Sequence, residues 1–85
     1  MKQVIIAVRD SKADAFGRPF FVASAGVGIR SFDDEVNRRD PENQMNNHPS
    51  DFALYQLGEY DDSTGIIECY PQPKLLIQAD QVLKV

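Results

Sequence analysis

The apolar positions along this chain change period several times, and each change marks an element. Residues 4–8, Val-Ile-Ile-Ala-Val, are apolar on both alternations, which predicts a strand buried on both faces near the centre of a sheet. Residues 9–19 are polar, with Gly17 and Pro19 as punctuation, and read as a loop. Residues 20–23 read as a second strand. The period then lengthens. Ala25, Ile29, Phe32 and Val36 are spaced by four, three and four, so they share one face of a helix. That helix is predicted over residues 25–39, with Ser24 as its N-cap and Asp40-Pro41 as its stop, since a residue before proline is pushed out of the α region. Gly26 and Gly28 weaken its first turn by about 1 kcal/mol each relative to alanine. Their small size predicts a close approach to the sheet.

Beyond the helix, residues 41–50 are rich in Asn, Gln and Pro and read as a loop. Residues 52–60 read as a long strand. Residues 61–65, Asp-Asp-Ser-Thr-Gly, form a turn signal with Gly65 suited to a left-handed position. Residues 66–70 return as the second strand of that hairpin, which Pro71 and Pro73 are expected to end. Residues 74–77 suit an edge strand, and residues 79–85 a short tail helix or strand. The order is β-β-α-β-β, with room for a final β. The expected fold is α+β, a single small domain over residues 1–85. One amphipathic helix packs on a four- to five-stranded, mainly antiparallel sheet.

Composition narrows the function. A chain of 85 residues buries roughly 60–65% of its unfolded surface, so it fills one modest core with little apolar surface left to wall a deep pocket. Self-association is a common remedy in domains of this size, which makes a homodimer an expectation. The single cysteine, Cys69, excludes an intrachain disulfide and a multi-cysteine zinc site, and favours a reducing compartment. Residues 1–8 have no apolar core long enough for a signal peptide, and no apolar run approaches the ~20 residues of a membrane span. A soluble cytoplasmic protein is expected.

The formal charge of −4 argues against a generic polyanion binder, but it is unevenly spread. Residues 1–39 hold seven Lys and Arg against five Asp and Glu, a surplus of two positive charges. Residues 40–85 hold two against eight, a deficit of six. An acidic whole can therefore carry a basic face.

Catalytic chemistry is thinly provided. A Ser-His-Asp or Cys-His device needs a base beside its nucleophile, and the one histidine, His48, lies in a predicted loop. Cys69 alternates with Glu68 and Tyr70 and reads as sheet packing. Asp33-Asp34-Glu35 reads as a solvated helix face, and Asp61-Asp62 as turn chemistry. Gly26-Val27-Gly28 lacks the third glycine and the βαβ setting of a dinucleotide site. No catalytic residue, metal or cofactor is expected.

Nucleic-acid binding has better material, because single-strand binders pair cations with aromatic stacking platforms. Arg9, Lys12, Phe16, Arg18, Phe20 and Phe21 fall within thirteen positions. The plain alternative is that Phe20 and one neighbour are strand core and the charges keep a loop soluble. Phe16 is the telling residue, since an aromatic in a polar stretch needs a partner.

Asp10-Ser11-Lys12-Ala13-Asp14-Ala15-Phe16 followed by Arg18-Pro19-Phe20-Phe21 resembles the small nonstructural protein of gokushovirus-type microviruses, tailless phages with circular single-stranded DNA genomes. Asn46-Asn47-His48-Pro49-Ser50-Asp51-Phe52 is similar to that family's N-x-H-P-x-D-aromatic segment. Leu54-Tyr55-Gln56-Leu57-Gly58-Glu59-Tyr60-Asp61-Asp62 is similar to the strand and turn that follow it there. Ile29, Arg30, Phe32 and Val36 fall where the family has its helix. The likeness covers residues 8–65.

The resemblance implies a non-enzymatic phage protein of the host cytoplasm, acting in viral DNA synthesis by binding single-stranded DNA or the replication complex on it. It supplies no catalytic residue. The expected contacts are Arg9, Lys12, Phe16 and Arg18, with Asn46, Asn47 and His48 as polar readers from the second loop. The rival expectation is an interaction module that binds a viral or host replication protein through the acidic helix or an open sheet edge, without touching DNA.

Overall fold

A computed structural model describes residues 1–84. Five strands and three helices appear in the order β1 (Lys2–Asp10), β2 (Ala15–Phe16), β3 (Phe20–Val22), α1 (Ala25–Val36), α2 (Gln44–Asn47), β4 (Phe52–Asp61), β5 (Ile66–Gln78) and α3 (Ala79–Val82), with a single 3-10 turn at Pro49–Asp51 before β4. The strands form one antiparallel sheet. β1 is central, paired with β4 on one side and with β2 and β3 in succession on the other, and β5 is the outer neighbour of β4. The helices cover one face, giving the expected α+β architecture. Residue 85 of the predicted tail lies outside the described residues.

The helix face is the one its spacing predicts. Phe32 and Val36 are buried, with Ile29 half-buried beside them, and they meet Ile6, Leu54 and Ala79 in the core. Burying a side chain of the size of Phe32 contributes about 1.5–3 kcal/mol. The close approach to the sheet occurs at Gly28 alone. A Cβ there would lie 2.7 Å from Cδ1 of Ile6, whereas one at Gly26 would meet only Oγ of Ser24, at 3.9 Å. Ser24 caps the helix as expected, its hydroxyl accepting from the Val27 N–H.

Four expectations need correction. The helix ends at Val36 rather than at residue 39, because asparagines end it first. Asn37 turns its amide back to the Asp33 carbonyl and across to the Val82 carbonyl. Asn43 donates to the carbonyls of Glu35 and Arg38, both at 2.8 Å. These bonds satisfy C-terminal carbonyls that no continuing helix would use. Secondly, residues 9–19 are not a loop throughout. Arg9 and Asp10 end β1, and Phe16 lies in β2, joined by a four-residue turn in which Asp10 accepts from the N–H groups of Lys12 and Ala13. Thirdly, residues 41–50 hold the short α2 and the start of the 3-10 turn.

The fourth correction concerns the prolines. β5 runs through Pro71 and Pro73 without a break, so residues 66–70 and 74–77 are one strand, and the described residues hold no separate final strand. Proline lacks the N–H that a central strand needs, but an edge strand tolerates it, and bulges do so especially well. Both conditions hold here. Between Gln56↔Lys74 and Gly58↔Cys69, β4 advances two residues while β5 advances five, so residues 70–73 arch out of the ladder. On the β1 side, β4 bulges at Leu57, between the pairs Ile6↔Gln56 and Ile5↔Gly58. The β4–β5 hairpin beyond these bulges contributes nothing to the main core, and its reach helps give the molecule its 42 Å length against 23 and 19 Å.

Candidate nucleic-acid interface

β1 is buried on both faces although helices cover only one. Its even-numbered residues Val4, Ile6 and Val8 pack into the helical core. Gln3, Ile5, Ala7 and Arg9 point the other way, yet Ile5 is only 7% exposed and Ala7 fully buried. The register explains the cover. Phe16 in β2 and Tyr55 in β4 flank β1, and their rings meet across it edge to face, centroids 5.3 Å apart. Phe21 in β3 and Tyr60 in β4 do the same further along, at 5.5 Å. Two aromatic bridges thus roof the central strand on the helix-free face. Phe16 remains 41% exposed and Phe21 47%, so the roof presents ring surface to solvent.

The two Phe residues sit opposite Arg9 and Ile5 of β1. Four residue steps of strand separate them, about 13 Å.

Charge is segregated between the two faces. Pairing places Asp10, Glu59, Asp61 and Glu68 on the same side as the core. The helix-free side carries Gln3, Ala53, Ile67, Cys69, Leu75 and Gln78 around the aromatics and, among the described residues, no strand carboxylate. Its one strand cation among the described residues is Arg9, whose guanidinium carbon lies 6.0 Å from the Phe16 centroid. Arg9 forms an ion pair with Asp14, a turn residue held at φ 53°.

The seven residues singled out in the sequence fall into four groups. Arg9 and Phe16 come together on the aromatic face. Arg18 is exposed in the connection from β2 to β3, between the two aromatic bridges, and makes no ion pair among the described residues. Lys12 and His48 meet elsewhere, around an open cavity of about 480 Å3 between the β1–β2 turn and α2, lined also by Asp10, Gln44, Asp51 and Phe52. Ser11 pins the two segments together, its N–H and hydroxyl both donating to the Asp51 carbonyl. Asn46 and Asn47 have structural partners. Asn46 donates its amide to the Val36 carbonyl and Asn47 to the Pro41 carbonyl, fixing α2 under the end of α1.

Tyr55 and Tyr60 are the residues that sequence reading missed. Five positions apart, they fall on opposite faces of a regular strand. The bulge at Leu57 inserts one residue and brings both to the same side. Gly58 makes the bulge possible, since a Cβ there would lie 2.1 Å from the Glu68 carbonyl oxygen. The Leu-Gly pair inside a strand is the one signal that could have pointed to it.

Among the described residues no group of three His, Cys, Asp or Glu is placed to hold a metal ion. Among the described residues no helix is long and apolar enough to cross a membrane. Comparison with curated proteins and with solved structures gives no match. The family model described as Phage ORF5 protein matches residues 3–82, which is nearly all of the sheet and all three helices, and the chain therefore belongs to this family of phage proteins.

Proposed function

We propose that this protein binds single-stranded DNA across the helix-free face of its sheet, as the nonstructural protein of a gokushovirus-type microvirus acting in viral DNA synthesis. The observation that carries the reading is the pair of exposed aromatic bridges, Phe16–Tyr55 and Phe21–Tyr60, on a face without strand carboxylates. Stacking of bases on aromatic rings is tolerant of sequence and contributes about 1–3 kcal/mol per base. The spacing favours a single strand. Two platforms about 13 Å apart are too far for neighbouring bases stacked at roughly 3.4 Å, so the strand lies extended with its bases splayed. Arg9 and Arg18 supply the phosphate contacts along that edge.

The acidic surplus stays on the rest of the molecule, and the binding face is close to neutral. Affinity therefore comes mainly from stacking, with a shallow dependence on salt. Titration of labelled single-stranded and duplex DNA at two salt concentrations tests this. The expected result is a clear preference for the single strand that survives moderate salt. Equal affinity for duplex, or none for either at low salt, defeats it.

A second reading draws on β5. Its outer edge is unpaired among the described residues, and Ile66 and Ile67 are both more than half exposed. A strand of a viral or host replication protein, or of a second copy of this chain, can add along residues 66–70 before the arch at residues 70–73 stops the pairing. Sedimentation of the protein alone at micromolar concentration, showing a dimer, favours the second copy.

A further inference from the structure

The cavity between the β1–β2 turn and α2 is separate from the aromatic face, and its lining is of a different kind. Lys12, Gln44, His48 and Asp51 converge there from two segments far apart in sequence, with the Phe52 ring as an apolar wall. Among the described residues none of those four side chains makes a hydrogen bond or ion pair within the protein. Lys12, His48 and Asp51 contribute only backbone groups to the loop contacts around them. Asp10, by contrast, is committed to the turn, where it accepts from Lys12 and Ala13. The volume of about 480 Å3 lies within the range of small-ligand sites, roughly 300–1,000 Å3.

The balance of charge decides the ligand. Two carboxylates face one lysine, so a phosphate meets more repulsion than attraction. A neutral group offering both donors and acceptors fits better, and an unpaired nucleobase is such a group. Guanine matches most fully. Its N1–H and N2 amino group are donors for the Asp51 carboxylate, and its O6 and N7 are acceptors for Lys12. Cytosine and adenine offer the amino group without that paired acceptor edge.

The position connects this cavity to the aromatic face. A smaller recess of about 80 Å3 shares Asp51 and Phe52 with it, and shares Arg9 and Tyr55 with the platform. A strand leaving the platform at Arg9 reaches the cavity by passing the Ser11–Asp51 link.

We infer that the cavity between Lys12, His48 and Asp51 is a base-reading subsite that selects guanine in a single strand whose neighbouring bases lie on the aromatic face. The inference rests on the single-strand reading of that face and adds a sequence preference to it.

The test uses fluorescence anisotropy with a short thymidine oligonucleotide and versions carrying one guanine, one hypoxanthine or one 7-deazaguanine at the centre. Hypoxanthine lacks the N2 amino group, and 7-deazaguanine lacks the N7 acceptor. The wild-type protein is expected to prefer guanine over hypoxanthine by roughly tenfold, the scale of one good base contact. In Asp51→Asn, which keeps the Asp51 carbonyl for Ser11, that ratio should fall to about one. In Lys12→Gln the ratio of guanine to 7-deazaguanine should fall likewise. Each ratio is read within one variant, so a general loss of affinity does not obscure it. Equal wild-type affinity for guanine and hypoxanthine, or a ratio unchanged in Asp51→Asn, overturns the inference while thymidine binding leaves the aromatic face in place. Binding only of the guanine oligonucleotide, lost in Asp51→Asn, reverses that outcome: the cavity stands and the platform falls. No binding of any oligonucleotide at low salt removes both.

Discussion

Phe16 and Tyr55 meet edge to face across the central strand, with ring planes 72° apart. An edge-to-face pair contributes about 0.5–1.5 kcal/mol beyond its buried area, and here it also leaves 41% of Phe16 facing solvent. Replacing Phe16 by alanine is therefore expected to cost both stability, because it uncovers part of β1, and binding. Single-stranded DNA affinity should fall by about 1–3 kcal/mol. Tyr60→Ala should act in the same direction, since it removes the partner of Phe21. Anisotropy titration and thermal denaturation of the same preparations separate the two effects. Arg9→Ala and Arg18→Ala should each lower the slope of log affinity against log salt by about 0.7. Unchanged DNA binding in Phe16→Ala would falsify the stacking role.

Gly58 and Gly65 are both in the β4–β5 hairpin, and alanine should act differently at each. At Gly58 a Cβ lies 2.1 Å from the Glu68 carbonyl oxygen and 3.0 Å from the Cys69 Cα, both backbone atoms that cannot step aside. Gly58→Ala must push β5 away at the bulge. Overpacking of this kind costs about 1–3 kcal/mol or more, and the two tyrosines lose their common face. Gly65 has φ +75° with nothing within 4 Å of the added atom. Gly65→Ala thus bears only the left-handed backbone penalty of about 1–2 kcal/mol. Urea denaturation should rank Gly58→Ala as the less stable. The DNA titration should show that variant alone impaired in binding.

Asn43 closes the end of the helix from outside it. It is 5% exposed, donates to the carbonyls of Glu35 and Arg38, and accepts from the Met45 N–H. Asn43→Ala strands these groups and is expected to cost about 1–3 kcal/mol, a large share of the stability of a domain this small. Asn43→Asp should be worse, because it turns a carboxylate toward two carbonyl oxygens. The shift of the urea midpoint measures both.

Acid should weaken the fold through a few identified carboxylates. The Arg38 guanidinium, hydrogen-bonded to both oxygens of Glu35, holds Glu35 below the usual carboxylate range. Asp40 is lowered first by the Glu42 N–H and then by Arg38. Asp61 is lowered by the hydroxyl and N–H of Ser63. A carboxyl lowered in the folded state adds stability above its unfolded pKa of about 4, and this is lost as pH falls through the folded value. Thermal melts should therefore drop below about pH 4. Arg38→Gln should flatten part of that drop, and added salt should shrink the part that Arg38 carries, since its pairs with Glu35 and Asp40 are exposed.

The sequence by itself determined the parts of this protein that depend on local pattern. The run at residues 4–8 named a strand buried on both sides. The spacing of Ile29, Phe32 and Val36 named the helix and its inner face, and Gly65 named the left-handed turn. Period, capping and turn chemistry act over a few residues, so they are legible without partners. Tertiary structure decided whatever depends on a neighbour. Helix α1 stops at Val36 because asparagines at positions 37 and 43 take over its last carbonyls, a choice made by a segment several residues away. Pro71 and Pro73 failed to end β5 because that strand proved to be an edge, where a missing N–H costs no ladder bond. The candidate interface depended on one inserted residue. In a regular strand Tyr55 and Tyr60 face opposite ways, and only the bulge at Leu57, allowed by the bare backbone of Gly58 against Glu68, puts them on one face with Phe16 and Phe21. A slip of one residue in register turns every side chain beyond it to the other side. That choice rests on Gly58 together with the strands on either flank, so the alternation within β4 does not show it.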